Sequence, residues 1–214
     1  MLNIMDILIN VPVTLIALTG HELAHGWVSE KLGDPTPRQN GRMTVNPLAH
    51  LDLVGTLLMI FTGFGWAKPV MVNPMYYKNR KKGMALTAAA GPAANLIMAF
   101  AALLIFTVLQ IICFKLGFEM PRLVGSIVYV FIFRNLCFMV FNLIPIPPLD
   151  GAKVLGMFLP NRAYYTMLQY ERYCMLLIML LSVTGVFSNI IGTGVNVVFN
   201  GLLRIISPLI NLAM

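Results

Sequence analysis

Long apolar runs broken by one extended polar stretch set the pattern of this chain. A helix needs about 20 mostly apolar residues to cross roughly 30 Å of hydrocarbon, and several stretches meet or approach that length. Residues 2–28 form the first, with Pro12 as a point of kinking. Residues 83–114 carry no charge, and residues 122–144 carry only Arg134 after the leading Arg122. These predict the second and third spans, the third running on through 146 toward Asp150. The uncharged run from Tyr173 to Leu203 exceeds one ordinary span, and Gly192-Thr193-Gly194 near its middle predicts a helical hairpin over 173–212 with its turn there. Residues 53–64 are apolar but too short to cross, which fits a re-entrant or interfacial segment. The polar stretch, 31–82, is rich in Pro, Gly and Asn and holds two strand-like pieces, Arg38–Asn46 and Trp66–Asn73. The predicted fold is an all-α polytopic membrane protein. It has about five transmembrane helices, a short re-entrant segment and a small membrane-surface β-sheet, within one membrane-embedded domain over 1–214.

Composition supports this reading: the chain is 58% hydrophobic and 11% charged, with mean hydropathy +0.81, whereas soluble domains carry about 25% charged residues. Too few charges exist to cover a water-soluble surface. The net charge of +7 matters through placement, because eight of the fifteen basic residues lie between Lys31 and Lys82. A loop so rich in Lys and Arg stays in the cytoplasm, which puts the N-terminus outside and the ends of the first and third spans on the cytoplasmic side. The Lys78–Lys82 cluster then reads as an anchor at anionic lipid, with no nucleic-acid readout implied. Cys113, Cys137 and Cys174 sit in apolar runs without C-x-x-C spacing, so neither a zinc knuckle nor a disulfide framework is indicated. The first segment lacks a basic start and a small-residue cleavage site and is expected to be retained.

That first segment also carries the most reactive-looking motif, His21-Glu22-Leu-Ala-His25. Residues four apart share a helix face, so His21 and His25 can direct ring nitrogens at one ion while Glu22 lies beside it as a general base. Three ionisable residues in an apolar span are unfavourable unless they have a function. A catalytic zinc takes three protein ligands and leaves one position for water. Asp150 is the favoured third ligand, because the proline-rich exit from the third span can aim its carboxylate back into the bundle. His50, in the cytoplasmic loop beside Asp52, is the chemical alternative.

With these residues placed, the chain resembles the site-2 protease family of intramembrane zinc metalloproteases, peptidase family M50, in its short bacterial and archaeal form. The resemblance covers most of residues 15–155. It is carried by H-E-L-A-H-G-W at 21–27, L-G-D-P-T-P-R at 32–38, G-R-M-T-V-N-P-L-A-H-L-D at 41–52, G-W-A-K-P-V at 65–70, A-G-P-A-A-N at 90–95 and F-N-L-I-P-I-P-P-L-D-G at 141–151. It implies that Asp150 completes the shell of a single Zn²⁺ and that His50 has only a loop role. It further implies that Asn142 positions substrate backbone or the developing oxyanion, although a packing asparagine would look the same. The implied activity is hydrolysis of peptide bonds in or near transmembrane segments of membrane-protein substrates, that is, regulated intramembrane proteolysis. The chain is expected to lack an inserted PDZ domain and a C-terminal nucleotide-sensing domain.

Around the metal, Gly65–Val70 reads as an interfacial edge strand in which Trp66 and Lys68 could help capture an extended substrate; a hairpin that only anchors the loop in lipid would use the same residues. Ala90–Asn95 supplies small residues for helix packing, with Asn95 a polar neighbour of the site and a substrate-contact candidate. The lipid bilayer and membrane-protein substrates are the expected partners, and a homo-oligomer is compatible with the sequence. Zinc transport would call for further ionisable residues along several spans and an inverted repeat, and neither is visible. An inactive scaffold would lack one of the residues needed for hydrolysis, and all are present.

Overall fold

The computed structural model of the chain describes residues 4–52, 55 and 68–211. Helix α1 covers Ile4–Lys31 and runs through Pro12. A helical turn, α2 (Thr36–Gln39), follows in the polar stretch, which also holds 3₁₀ turns at Pro47–His50 and Pro74–Tyr76. Helix α3 (Arg80–Lys115) starts where the Asn79 side chain accepts from the Lys82 N–H, an N-cap that satisfies an otherwise orphaned donor. At 36 residues it is about 54 Å long, more than the hydrocarbon thickness. Then come α4 (Arg122–Asn142), α5 (Asp150–Gly156), α6 (Asn161–Gln169), α7 (Glu171–Val183) and α8 (Val186–Asn211).

Four of the described helices, α1, α3, α4 and α8, are long and apolar enough to cross a membrane. Their outward faces are apolar: Leu8, Ile16, Ile97, Ile105, Ile112, Val197 and Ile205 are all exposed. Such a belt suits lipid rather than water. Helices cannot gain by hiding oily surface from oily solvent, so close packing between small residues must hold them together. Ala17 of α1 and Ala85, Ala88 and Ala99 of α3 are accordingly buried. Ala99, Leu103, Ile132, Leu136, Val195, Leu202 and Ile206 join α3, α4 and α8 in one core. Arg134 of α4 donates to Asn10 of α1 at 2.9 Å.

Two expectations meet a different arrangement. The turn predicted at Gly192–Gly194 lies inside α8, and the chain reverses instead at Thr184–Gly185, where Gly185 takes φ +76°. Gly194 serves packing: a Cβ there would come within 2.7 Å of Val140 on α4. With the turn so early, α7 has 13 residues, about 20 Å, short of a full crossing. No β-strand forms among the described residues. Over Arg38–Asn46 the chain first completes the helical turn α2, which carries Pro37, then reverses at Gly41 with φ +64°, and side chains take up backbone groups, with Arg42 donating to Ala49 O and His50 to Thr44 O. The segment 68–73 has no regular secondary structure; the re-entrant piece 53–64 and Trp66 fall outside the described residues, Gly55 excepted. Cys113, Cys137 and Cys174 are half-buried and unpaired.

The polar stretch is tied to the bundle through Asp34. Its carboxylate is buried and accepts from Ser29 Oγ at 2.7 Å, Thr36 N at 3.0 Å and Asn73 N at 2.7 Å. Ser29 Oγ and Tyr77 Oη pair at 2.6 Å, and Tyr77 Oη reaches Thr87 Oγ1 at 3.2 Å. Burial by itself would push the Asp34 carboxyl up, but the hydrogen bonds to Thr36, Asn73 and Ser29 outweigh it and hold its pKa below the ordinary 3.8. The stability this contributes is present above that ordinary value and is lost as pH falls through the lower folded one. Asp34→Asn should therefore destabilise the protein at neutral pH by about 1–3 kcal/mol. Thermal unfolding of both proteins in detergent checks this; the gap should close on acidification below the ordinary carboxylate range, and a constant gap would exclude the ionised form as the cause.

Candidate metal centre

Near the C-terminal end of α1, helical spacing sets His21 and His25 on one buried face with their Nε2 atoms 3.0 Å apart. Asp150, the first residue of α5, brings Oδ2 to 3.2 Å from His21 Nε2 and 3.1 Å from His25 Nε2. The chain leaves α4 at Asn142, folds through tight turns over 143–149 that include a cis Pro147–Pro148 bond, and restarts as helix at Asp150. Gly151 permits this restart. A Cβ there would lie 2.3 Å from the Leu143 carbonyl oxygen and 2.6 Å from that of Ile144, so only glycine lets α5 sit against the exit of α4. Lys153 Nζ stands 3.6 Å from the other carboxylate oxygen, Oδ1, which leaves Oδ2 facing the histidines.

The second side of each imidazole is held by α3. His25 Nδ1 lies 2.7 Å from the carbonyl oxygen of Thr87, which can only accept, so Nδ1 carries the proton. His21 Nδ1 lies 2.7 Å from Asn95 Oδ1. The Asn95 amide cannot be reversed, because its nitrogen donates to the Ala17 carbonyl at 3.2 Å, so this ring too is protonated on Nδ1. Neutral imidazole has one N–H. With both rings neutral, the two Nε2 atoms present lone pairs to each other and to a carboxylate oxygen. A cation satisfies all three at once. Zinc–ligand bonds of 2.0–2.2 Å in a tetrahedron separate the ligand atoms by roughly 3.3 Å, close to the separations found, so these residues fit a zinc ion.

Between Thr87 and Asn95 on the same face of α3 lies Gly91, where a Cβ would stand 2.5 Å from both His21 Cε1 and His25 Nε2. Thr87, Gly91 and Asn95, spaced i, i+4, i+8, thus form the wall behind the two rings.

Glu22 lies in the same cavity, of about 170 Å³, lined also by Pro69, Val70, Asn142 and Lys153; that is room for several waters. Its Oε2 accepts from the Val70 N–H at 2.8 Å. Of the other residues singled out in the sequence, Asn142 lines the cavity and donates to Phe138 O at 3.0 Å. Lys68 is exposed, its N–H donating to His50 O at 2.9 Å. His50 is buried in the loop with Nε2 at 2.9 Å from Thr44 O, and it is not among the grouped ligand atoms. Asn95 is set differently from the substrate contact expected of it: it is fully buried behind His21 and does not line the cavity. Thr87, Asn135 and Lys153 lie outside the motifs read from the sequence, and Gly91 and Val70, though inside them, carry no metal-site role there. Only the four-residue spacing through 87, 91 and 95 could have flagged any of them.

With this geometry in place, comparison with known proteins is informative. The model of peptidase family M50 matches residues 11–185. YwhC of Bacillus subtilis (strain 168), whose name places it provisionally among the zinc metalloproteases, is 34% identical over 195 residues, 91% of this chain and 89% of its own length. No solved structure matches significantly.

Proposed function

The chain belongs to peptidase family M50, and on that footing we propose that it hydrolyses peptide bonds in or near the transmembrane segments of other membrane proteins. It is a zinc-dependent metallopeptidase and a multi-pass membrane protein. The observation that carries the finer reading is the convergence of His21 Nε2, His25 Nε2 and Asp150 Oδ2 inside a helical bundle. These three would hold one zinc per chain. When bound, zinc lowers the pKa of water towards 7 and polarises the scissile carbonyl.

Glu22 takes the proton from the attacking water and returns it to the leaving amine. The Val70 N–H fixes one of its carboxylate oxygens and leaves the other for this transfer. Lys153 and the close seat of Gly151 orient Asp150. Asn142, on the cavity wall, positions the substrate carbonyl, and the segment 68–73 presents an extended substrate beside Glu22, with Trp66 a further residue assigned to substrate capture. An unwound substrate is required because a helical backbone keeps its carbonyls in hydrogen bonds. The excess of Lys and Arg in the loop 31–82 supports a site at the cytoplasmic face and an N-terminus outside, where the reaction would serve regulated intramembrane proteolysis.

Purified protein in detergent should contain one zinc per chain and cut a peptide with a transmembrane segment. Chelation should abolish cutting and added zinc restore it. Cleavage that survives complete zinc removal would refute the proposal.

A further inference from the structure

We propose that Asn95 is a positioning residue for His21, holding the ring with its proton on Nδ1 and Nε2 bare toward the metal, and that Asn135 on α4 holds Asn95 in turn. This rests on the reading of His21, His25 and Asp150 as the zinc ligands. Asn95 and Asn135 are both fully buried. Buried amides are unfavourable in an apolar bundle unless their polar atoms are paired, and the pairing here has a direction. Asn135 Nδ2 donates to the Phe131 carbonyl at 2.9 Å, which turns its Oδ1 toward Asn95. Asn95 Nδ2 donates to that Oδ1 at 2.9 Å and to the Ala17 carbonyl at 3.2 Å. Two backbone carbonyls, which can only accept, thus fix both amides, and Asn95 Oδ1 is left as the acceptor for His21 Nδ1–H at 2.7 Å.

Both amide hydrogens of Asn95 are committed and its oxygen faces His21, so it has no group to offer a substrate. A partner on the far nitrogen sets the tautomer of a metal-bound histidine and raises its basicity, and losing such a partner typically weakens metal binding by about 10–100-fold. The equivalent partner of His25 is the Thr87 carbonyl, which belongs to the backbone. His21 depends on a side chain, so its partner can be exchanged.

The test compares two substitutions by Co²⁺ titration, using the absorption of the bound ion and competition with a chelator. Asn95→Asp keeps an acceptor facing Nδ1 and loses the donors to Ala17 and Asn135. Asn95→Leu loses both. Asn95→Leu should bind Co²⁺ about 10–100-fold more weakly and Asn95→Asp close to wild type. Equal losses in the two variants would mean that Asn95 only ties helices together, and an unchanged Asn95→Leu would mean that it does nothing for the metal; either result overturns the proposal. His21→Ala, measured alongside, separates the two levels: undiminished Co²⁺ binding in that variant would overturn the ligand assignment itself. Should Asn95→Leu fail to fold, ¹⁵N-histidine NMR of the zinc-loaded wild type decides. A proton on His21 Nδ1 with metal on Nε2 is expected, and the reverse arrangement refutes the role.

Discussion

Glu22→Gln should leave zinc content unchanged and reduce peptide cleavage by about 10²–10⁴-fold, the range for loss of a general acid–base. Helical spacing turns His21 and His25 toward one point, whereas Glu22 lies on the cavity wall with Oε2 accepting from the Val70 N–H at 2.8 Å. A glutamine can still accept that hydrogen bond through its amide oxygen, so the segment over the site keeps its seat. Only the capacity to take a proton disappears. Metal analysis and cleavage of a transmembrane-segment peptide, measured on one preparation, decide the matter. Variant protein that retains its zinc and still cleaves at the wild-type rate would remove Glu22 from the chemistry.

Gly91→Ala should be nearly as damaging, with the opposite signature. The added methyl would stand 2.5 Å from atoms of both imidazoles, well inside contact distance. Neither ring can swing clear without breaking its bond to Thr87 O or Asn95 Oδ1, each 2.7 Å long. Alanine favours helix over glycine by about 1 kcal/mol, so α3 itself should gain. Because the clash is between protein atoms, the expected result is a protein whose melting temperature is lowered even after chelation, with metal affinity lowered at least about tenfold and cleavage lowered with it. Wild-type zinc affinity in Gly91→Ala would show that the rings have slack the distances do not suggest.

Much of this architecture is legible in the sequence because apolar length and helical spacing are local properties. The charge-free run at 83–114 predicts α3, and the four-residue spacing of His21 and His25 predicts their shared face. Asp150 meets them because α1 and α4 end on the same side of the bundle, an inference from alternation of spans. Other parts depend on who packs against whom, which no local pattern records. Gly194 and Gly185 are both glycines among apolar residues, yet Gly194 faces Val140 and Gly185 turns the chain. Likewise the strand pattern at Arg38–Asn46 is overridden by Pro37 and by Arg42 and His50, whose side chains occupy the carbonyls of Ala49 and Thr44. Asn95 was visible as a polar residue near the site, but its orientation depends on Asn135, forty positions away in sequence, and on two carbonyls from other turns.

The wall behind the histidines has a mechanical meaning as well as a chemical one. Thr87, Gly91 and Asn95 ride on a single helix, and a helix moves as a body: sliding it by one residue advances it about 1.5 Å and turns its face by about 100°. Such a slip would withdraw the Thr87 carbonyl, the Gly91 gap and the Asn95 amide together. A slide of α3 along its axis therefore misaligns the two imidazoles as a pair.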